Sequence, residues 1–272
     1  MKTLLDFFTE MFEGGSSFSA INTAKSALLT CVTVDNSYHW NSDTDLVRFF
    51  KGVHNSRPPL PKYTSTWDVD IVLKHLGDMD SQGAISLKDL TLKAAMLVAL
   101  TSGSRAQSIH LMNIDNTIVS QDKVSFFFDV PLKTSRLSRV RQIIEIKKLP
   151  GNKCCVFTAV TEYMKRTAGL RSTQALWVSW NKPHSGVSRD SISRWLKAVL
   201  SAAGINTKVF SAHSTRMAAT SKASCLGVGL TSILATAGWN SATNFTKFYK
   251  RTLEEDNDRQ VFAEAVLSNQ KE

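Results

Sequence analysis

The sequence lacks any apolar stretch that approaches the roughly 18 residues of a membrane-spanning helix, because charged residues interrupt its hydrophobic segments. The first 15 residues are apolar but contain Asp6, Glu10 and Glu13. This pattern is typical of an amphipathic helix and not of a secretory signal peptide. We therefore expect no membrane partner.

Cysteine is also scarce, with four residues in the chain. None of them forms a CxxC pair, and no group of cysteine and histidine has the spacing of a zinc site, which argues against a structural metal centre. We interpret the four as reduced core thiols of an intracellular protein. They are Cys31, Cys154, Cys155 and Cys225.

Acidic residues are nearly missing from one long segment. Residues 133–216 contain 16 basic side chains and three acidic ones, a net charge of +13, whereas residues 1–62 contain six of each kind. The whole chain carries +10. A concentrated basic block favours a polyanionic partner, with nucleic acid as the default candidate. The alternative is a solvated basic surface without a partner.

Proline is rare, but three of the six prolines fall within the run PPLP. Proline cannot continue a helix and stiffens an extended linker, so we place a linker at residues 55–66. Residues 1–54, with apolar residues at helical spacing, predict a helical domain. Residues 67–272 form the second predicted domain. No internal repeats or low-complexity tracts occur.

The second domain predicts a mainly α fold with a small antiparallel β-sheet. LKDLTLKAAMLVALTS is apolar on most faces and predicts a buried helix. KVSFFFDV and RQIIEIKKL predict two strands, joined by the basic hairpin loop PLKTSRLSR. SRDSISRWLKAVLSAAG predicts an amphipathic helix with a basic face.

Two arginines stand out by their context. Arg105 follows the buried helix at a glycine-containing corner, and Arg216 lies three residues after His213 in the small-residue stretch SAHSTRMAAT. Both are costly to bury without an anionic partner. The planar guanidinium matches a phosphate with two parallel hydrogen bonds. The alternative is that each arginine caps carbonyls or pairs with a nearby carboxylate.

Tyr249 lies 33 residues after Arg216, in the basic context FTKFYKR. Tyrosine can act as a covalent nucleophile. The alternative interpretation is a half-buried tyrosine whose hydroxyl only contacts water.

The ordered set of these residues resembles the tyrosine recombinases, the phage-integrase superfamily. That family has an arginine after a buried helix, a lysine in a β-hairpin loop, HxxR, then GH or GW, and a tyrosine about ten residues later. The resemblance covers about residues 65–255, and the helical segment 1–54 fits the family's core-binding, DNA-clamping domain. The stretches RPPLPKYTSTWDVDIVL and AHSTR are most similar to the recombinases of DIRS-like and crypton mobile elements. The six positions are filled here by Arg105, Lys133, His213, Arg216, Trp239 and Tyr249.

The resemblance implies a site-specific DNA recombinase. Tyr249 would attack the scissile phosphate and form a 3′-phosphotyrosyl bond, Lys133 would protonate the leaving 5′ oxygen, and His213 would share the proton transfer or position the phosphate. The two arginines would hold the non-bridging oxygens, and Trp239 would pack behind the site. No metal and no cofactor is implied.

The chain departs from the family in one position and is ambiguous in another. Ser108 occupies a place that is often acidic in the family, which puts the support of the catalytic groups in doubt. Lys133 fits the hairpin lysine best, but Arg136, Arg139 and Lys123 are near the same loop.

Further basic residues are expected to hold DNA phosphates and to make binding strongly salt-dependent. They are Arg136, Arg139, Arg141, Arg189, Arg194, Lys197 and Lys250. The resemblance implies a homotetramer on double-stranded DNA. The amphipathic tail DNDRQVFAEAVLSNQ would dock on a neighbouring protomer, or fold back on its own domain. We expect a nuclear protein in a eukaryote and a cytoplasmic, nucleoid-associated one otherwise.

Two other functions remain open at this point. A type IB topoisomerase-like enzyme would share the chemistry and relax DNA without exchanging strands. A domesticated DNA-binding protein would hold DNA without cleaving it.

Overall fold

The computed structural model describes residues 2–32, 42–79, 85–132, 143–239 and 241–251. The chain divides into two compact units, 1–62 and 63–272. The first unit contains three helices, α1 (Lys2–Glu13), α2 (Phe18–Val32) and α3 (Thr44–Ser56). Their buried side chains form one apolar cluster, made by Phe8, Ile21, Leu29, Leu46, Phe50 and Val53.

The unit boundary differs in detail from the expected linker. Helix α3 begins after the N-cap Asp43 and ends at Ser56, so it extends two residues beyond the predicted end of the helical domain. The second unit begins at Tyr63, within the predicted linker. Tyr63, two residues after PPLP, is therefore part of the larger unit, where it contacts the site described below.

The second unit begins with three helices, α4 (Val69–Asp78), α5 (Leu87–Ser102) and α6 (Ala106–His110). Ser86 caps α5, and twelve residues of this helix are buried, as its apolar sequence predicts. Helices α7 (Val156–Thr167), α8 (Arg189–Ala202) and α9 (Ser214–Cys225) contact α5. Helix α5 is thus the centre of the larger unit.

The sheet has three antiparallel strands in the order β1 (Thr117–Val119), β2 (Lys123–Phe127) and β3 (Ile143–Lys147). The mainly α fold with a small antiparallel sheet is confirmed. The sequence interpretation found β2 and β3 and missed β1, because three residues are too few for an alternating pattern. Two short helices, α10 (Leu230–Ala237) and α11 (Ala242–Phe248), complete the described chain.

The interpretation of the cysteines as core thiols is wrong for two of the four. All four are free thiols, but Cys31 and Cys225 are exposed, Cys154 is half-buried and Cys155 is buried. Both exposed residues lie at or next to the C-terminal end of a helix. Among the described helices, none has the length and apolar character needed to cross a membrane.

Candidate active site

Arg216 is held inside the protein by the packing of α9 on α5. The small residues around it let the two helices approach closely, and its side chain is only 2% exposed. Gly103 ends α5 in the left-handed conformation, at φ 55°. The carbonyl oxygen of Gly103 accepts a hydrogen bond of 2.6 Å from Nη1 of Arg216. The glycine corner therefore orients the guanidinium.

The remaining donors of Arg216 are unused in the part of the chain that the structure describes. Its Nε and Nη2 are buried and have no hydrogen-bond partner there. The guanidinium carbon lies 4.2 Å from the centroid of the Trp239 ring. Burial, and secondly the positive charge of Arg105, lower the pKa of Arg216 to about 9, so it remains charged at neutral pH. A buried cation with two unused donors is stabilised by an anion.

Arg105 is placed next to Arg216 by the same corner of the chain. It is the N-cap residue of α6, two residues after the left-handed Gly103, and its side chain makes no capping hydrogen bond. Its charge is close enough to Arg216 to disfavour the charged form of that side chain. Two neighbouring positive charges repel each other, and an anionic ligand bound between them relieves that repulsion.

Tyr249 and His213 meet beside this pair of arginines. Tyr249 Oη lies 3.1 Å from His213 Nε2, although 36 residues separate them in the sequence. The Tyr249 ring lies 4.5 Å from the Trp239 ring and 5.8 Å from the guanidinium carbon of Arg216, centroid distances in both cases. His213 is exposed and Tyr249 is half-buried, so a ligand from solvent can reach both. A phenol hydroxyl, an imidazole nitrogen and the unpartnered donors of a buried guanidinium are thus adjacent, and these are the groups that a nucleophile, a proton acceptor and an anion-binding site require.

Five of the six predicted catalytic residues fall in described segments, and four of them are connected by the contacts above. Arg105 is connected to them through its charge. Lys133 lies outside the described residues, in the connection between β2 and β3. Ser108 is half-buried in α6.

One alternative to Lys133 is disfavoured by the structure. Lys123 Nζ donates a 2.7 Å hydrogen bond to Glu145 Oε1 across the β2–β3 pair. This hydrogen bond and the charge of Glu145 raise the pKa of Lys123. A higher pKa makes it a weaker acid, so Lys123 is a poor donor to a leaving oxygen. Arg136 and Arg139 lie outside the described residues.

The predicted DNA-contacting residues of α8 form an exposed face. The apolar stripe is buried as predicted, and Arg189, Arg194 and Lys197 are exposed. Arg189 pairs with Asp190 at 2.9 Å, and Arg194 donates to Ser191 Oγ at 2.9 Å. Such exposed contacts are weak and can be exchanged for phosphate. Lys250 is also exposed. The structure does not describe Arg136, Arg139 and Arg141, nor the tail from residue 252 onward.

Sequence reasoning missed the residues that hold the His213 loop. Trp67 Nε1 donates a 2.9 Å hydrogen bond to Ser214 Oγ, which donates in turn to the carbonyl oxygen of Ser211. The phenol oxygen of Tyr63 lies 2.9 Å from Ser211 Oγ and accepts from the Ser211 amide at 3.2 Å. These contacts join residues about 147 positions apart and leave no periodic signal. The aromatic pair in KYTSTW was the only hint.

No protein-family model matches the chain, and neither does any curated protein. Solved structures do match its fold. XerH recombinase bound to its palindromic difH substrate, in a post-cleavage complex, has a TM-score of 0.64 at 14% identity, covering 98% of this chain and 72% of that one. The Tn1549 transposon integrase with transposon right-end DNA has a TM-score of 0.59 at 13% identity, covering 97% and 84%.

XerA recombinase gives a third match, with a TM-score of 0.54 at 16% identity over 96% of this chain and 90% of that one. With identities this low, the TM-scores show a shared fold alone. Since the matches cover nearly the whole chain, the likeness includes both compact units. The chain therefore shares the fold of these two recombinases and of the transposon integrase.

Removing single charges from α8 tests its exposed face. We expect Arg194→Gln and Lys197→Gln each to reduce the slope of log affinity against log salt by about one, and to weaken different duplexes equally, if each of these side chains contacts one phosphate. Titrations of a random-sequence duplex at several salt concentrations measure this slope. Lys222→Gln is the matched control, because it removes one positive charge from α9 and none from the exposed face of α8. An unchanged slope in the α8 variants would exclude this face from the interface.

Proposed function

We propose that this protein cleaves and rejoins DNA strands at specific sites through a 3′-phosphotyrosyl intermediate. One observation carries the proposal: Tyr249 Oη lies 3.1 Å from His213 Nε2, beside the buried Arg216 whose Nε and Nη2 have no partner in the described chain. A nucleophile needs a proton acceptor, and the transition state of phosphoryl transfer needs hydrogen-bond donors for its non-bridging oxygens. This group of residues supplies both.

The proposed reaction balances within these residues and the DNA. Tyr249 Oη attacks phosphorus and its proton passes to His213 Nε2. The bond from phosphorus to the 5′ oxygen breaks, and that oxygen leaves with a proton from Lys133. Arg105 and Arg216 hold the two non-bridging oxygens while negative charge increases on them. Attack by a 5′ hydroxyl on the phosphotyrosine reverses each step and rejoins the strand.

The finer assignments belong to the same proposal. The chain is a recombinase of a eukaryotic mobile element, most similar to the DIRS-like and crypton groups, which acts in the nucleus as a tetramer on double-stranded DNA. The helical unit 1–62 is the core-binding domain and the larger unit is catalytic. The motif wording, the basic block and the fold support these assignments.

Covalent trapping tests the function. We would select duplexes from a randomised library of nicked suicide substrates, in EDTA, by recovering SDS-resistant protein–DNA adducts. In a suicide substrate the short 5′-hydroxyl fragment diffuses away, so the adduct cannot be resealed. Recovery of adducts enriched in one sequence supports a site-specific enzyme. Salt-sensitive binding without any adduct would contradict cleavage, and relaxation of supercoiled DNA without recombinants would indicate a topoisomerase.

The identity of the general acid gives a separate prediction. Lys133→Ala should slow adduct formation by about 10²–10⁴-fold, the usual contribution of a general acid, while Lys123→Ala should stay close to the wild-type rate. The measurement is single-turnover cleavage of the selected duplex. Replacing the bridging 5′ oxygen by sulfur should restore the Lys133→Ala rate, since a thiolate leaves without a proton. A large defect in Lys123→Ala would reverse the assignment.

A further inference from the structure

Arg251 follows the proposed nucleophile by two residues and is bound to the protein, not exposed like its neighbour Lys250. Its Nε donates a 2.8 Å hydrogen bond to the carbonyl oxygen of Tyr63. Its Nη1 and Nη2 donate hydrogen bonds of 2.5 Å to the carbonyl oxygens of Lys250 and Lys247. All three guanidinium nitrogens thus bind backbone oxygens around Tyr249.

A buried serine completes the set from the other side. Ser221 Oγ donates a 2.7 Å hydrogen bond to the carbonyl oxygen of Tyr249 and accepts a 3.0 Å hydrogen bond from the amide of Arg251. Ser221 is 1% exposed and lies on α9, the helix that carries Arg216. The backbone of the nucleophile is therefore fixed to the helix that holds the anion-binding group.

Tyr63, the third residue of the set, links the segment that carries Tyr249 and Arg251 to the loop that carries His213. Tyr63 accepts from Arg251 through its carbonyl oxygen and contacts Ser211, two residues before His213, through its phenol. The Tyr63 ring also packs on Phe210, with centroids 5.5 Å apart. One residue thus connects the segments that carry both members of the Tyr249–His213 pair.

We infer that Arg251, Ser221 and Tyr63 form a nucleophile clasp that positions Tyr249 against His213 and Arg216, and that Arg251 acts through the backbone and not as a phosphate contact. This inference rests on the proposed cleavage function. A displacement of about 1 Å in a reacting group can cost on the order of 10²-fold in rate. The C-terminal end of α11 is held by hydrogen bonds to the carbonyl oxygens of Lys247, Tyr249 and Lys250. Loss of these bonds would therefore let Tyr249 move away from His213.

Charge and geometry can be separated at Arg251. Arg251→Lys keeps the charge but loses the planar fork, and Arg251→Gln loses both. For a positioning residue, both variants slow adduct formation at saturating DNA by about ten- to hundredfold, and both leave affinity and salt slope for a random-sequence duplex unchanged. For a phosphate contact, lysine retains the rate while glutamine weakens binding and reduces the slope by about one. That second pattern would overturn the inference.

Lys250→Gln serves as the reference for a phosphate contact at the neighbouring position. It should reduce the salt slope by about one, as expected for an exposed cation that binds DNA. Ser221→Ala should slow adduct formation without changing affinity, like Arg251→Lys. Tyr63→Phe keeps the carbonyl and the ring but loses the contact with Ser211, so it should slow cleavage without releasing Arg251.

Hydrogen exchange gives a measurement that does not depend on cleavage. In Arg251→Lys and Ser221→Ala, the amides of residues 249–251 should exchange at least about tenfold faster than in the wild type, since local hydrogen bonds set local protection. Unchanged exchange would overturn the clasp. If the wild type forms no adduct but the exchange pattern is as expected, the proposed function fails while the clasp stands.

Discussion

Tyr249→Phe is expected to abolish covalent adduct formation and to leave DNA binding unchanged. The substitution removes one oxygen, which lies 3.1 Å from His213 Nε2. The ring contacts with Trp239 and with the guanidinium of Arg216 do not involve that oxygen, so they persist in phenylalanine. Loss of a nucleophile that acts within a catalytic set costs about 10⁴-fold or more. Single-turnover trapping on the selected suicide duplex measures the loss, and titration of the same duplex measures affinity.

Tyr163→Phe is the control for the loss of a phenolic hydroxyl. Tyr163 is buried in the core, and its oxygen accepts a 2.9 Å hydrogen bond from the amide of Val178. This variant should be less stable than the wild type but should form adducts at a similar rate under conditions where it is folded. An adduct that persists in Tyr249→Phe would identify a different nucleophile.

Arg216→Met is expected to abolish cleavage and at the same time to stabilise the free protein. The charged group is 2% exposed, two of its nitrogens have no partner among the described residues, and nearby Arg105 repels it. Methionine fills a similar space beside Trp239 without a buried charge. The lost hydrogen bond to the Gly103 carbonyl offsets part of the gain. We expect a net increase of about 1–3 kcal/mol in unfolding free energy and a loss of about 10³-fold or more in cleavage.

The stability gain should depend on pH in a defined direction. The folded-state pKa of Arg216, about 9, lies well below that of an arginine in the unfolded chain, so the folded state disfavours the charged form. Below about pH 9 the side chain is charged in both states and its full cost is present. Between that pH and the higher pKa of the unfolded state, the folded state has lost the proton while the unfolded state keeps it, so the cost declines as pH rises. The difference in stability between Arg216→Met and the wild type should therefore be constant at neutral pH and shrink above pH 9.

A bound anion should offset the same free-energy cost of burying the charged guanidinium of Arg216. Orthovanadate mimics the trigonal-bipyramidal transition state of phosphoryl transfer. It should raise the melting temperature of the wild type and have little effect on that of Arg216→Met. Stabilisation by a ligand follows from its binding to the folded state alone. A lower melting temperature in Arg216→Met would show that the guanidinium serves mainly to hold the Gly103 corner.

Local patterns in the sequence predicted the helices that form the core. The apolar residues of α8 recur every three or four positions, so burial of one face follows from the helix itself, whereas α5 is apolar on most faces and is buried almost all round. Strand β1 was missed because three residues carry no such period. The cysteines were misplaced because composition alone does not tell which end of a helix is exposed.

The residues of the candidate site could be predicted only from the ordered set of motifs along the chain. Periodicity could place His213 and Arg216 near each other, but it could not bring Tyr249 to them, since that contact spans 36 residues of loop and helix. The support was harder still to predict. One partner of Arg251 is the carbonyl oxygen of Tyr63, 188 residues earlier in the chain, and a backbone oxygen leaves no trace in side-chain chemistry.

Mass spectrometry of the trapped adduct tests the central claim most directly. After digestion of the adduct with nuclease and protease, we expect one modified peptide that contains Tyr249, with its phenol oxygen esterified to the 3′ phosphate of a nucleotide. Attachment to another side chain, or through a 5′ phosphate, would contradict the assigned site and the direction of cleavage.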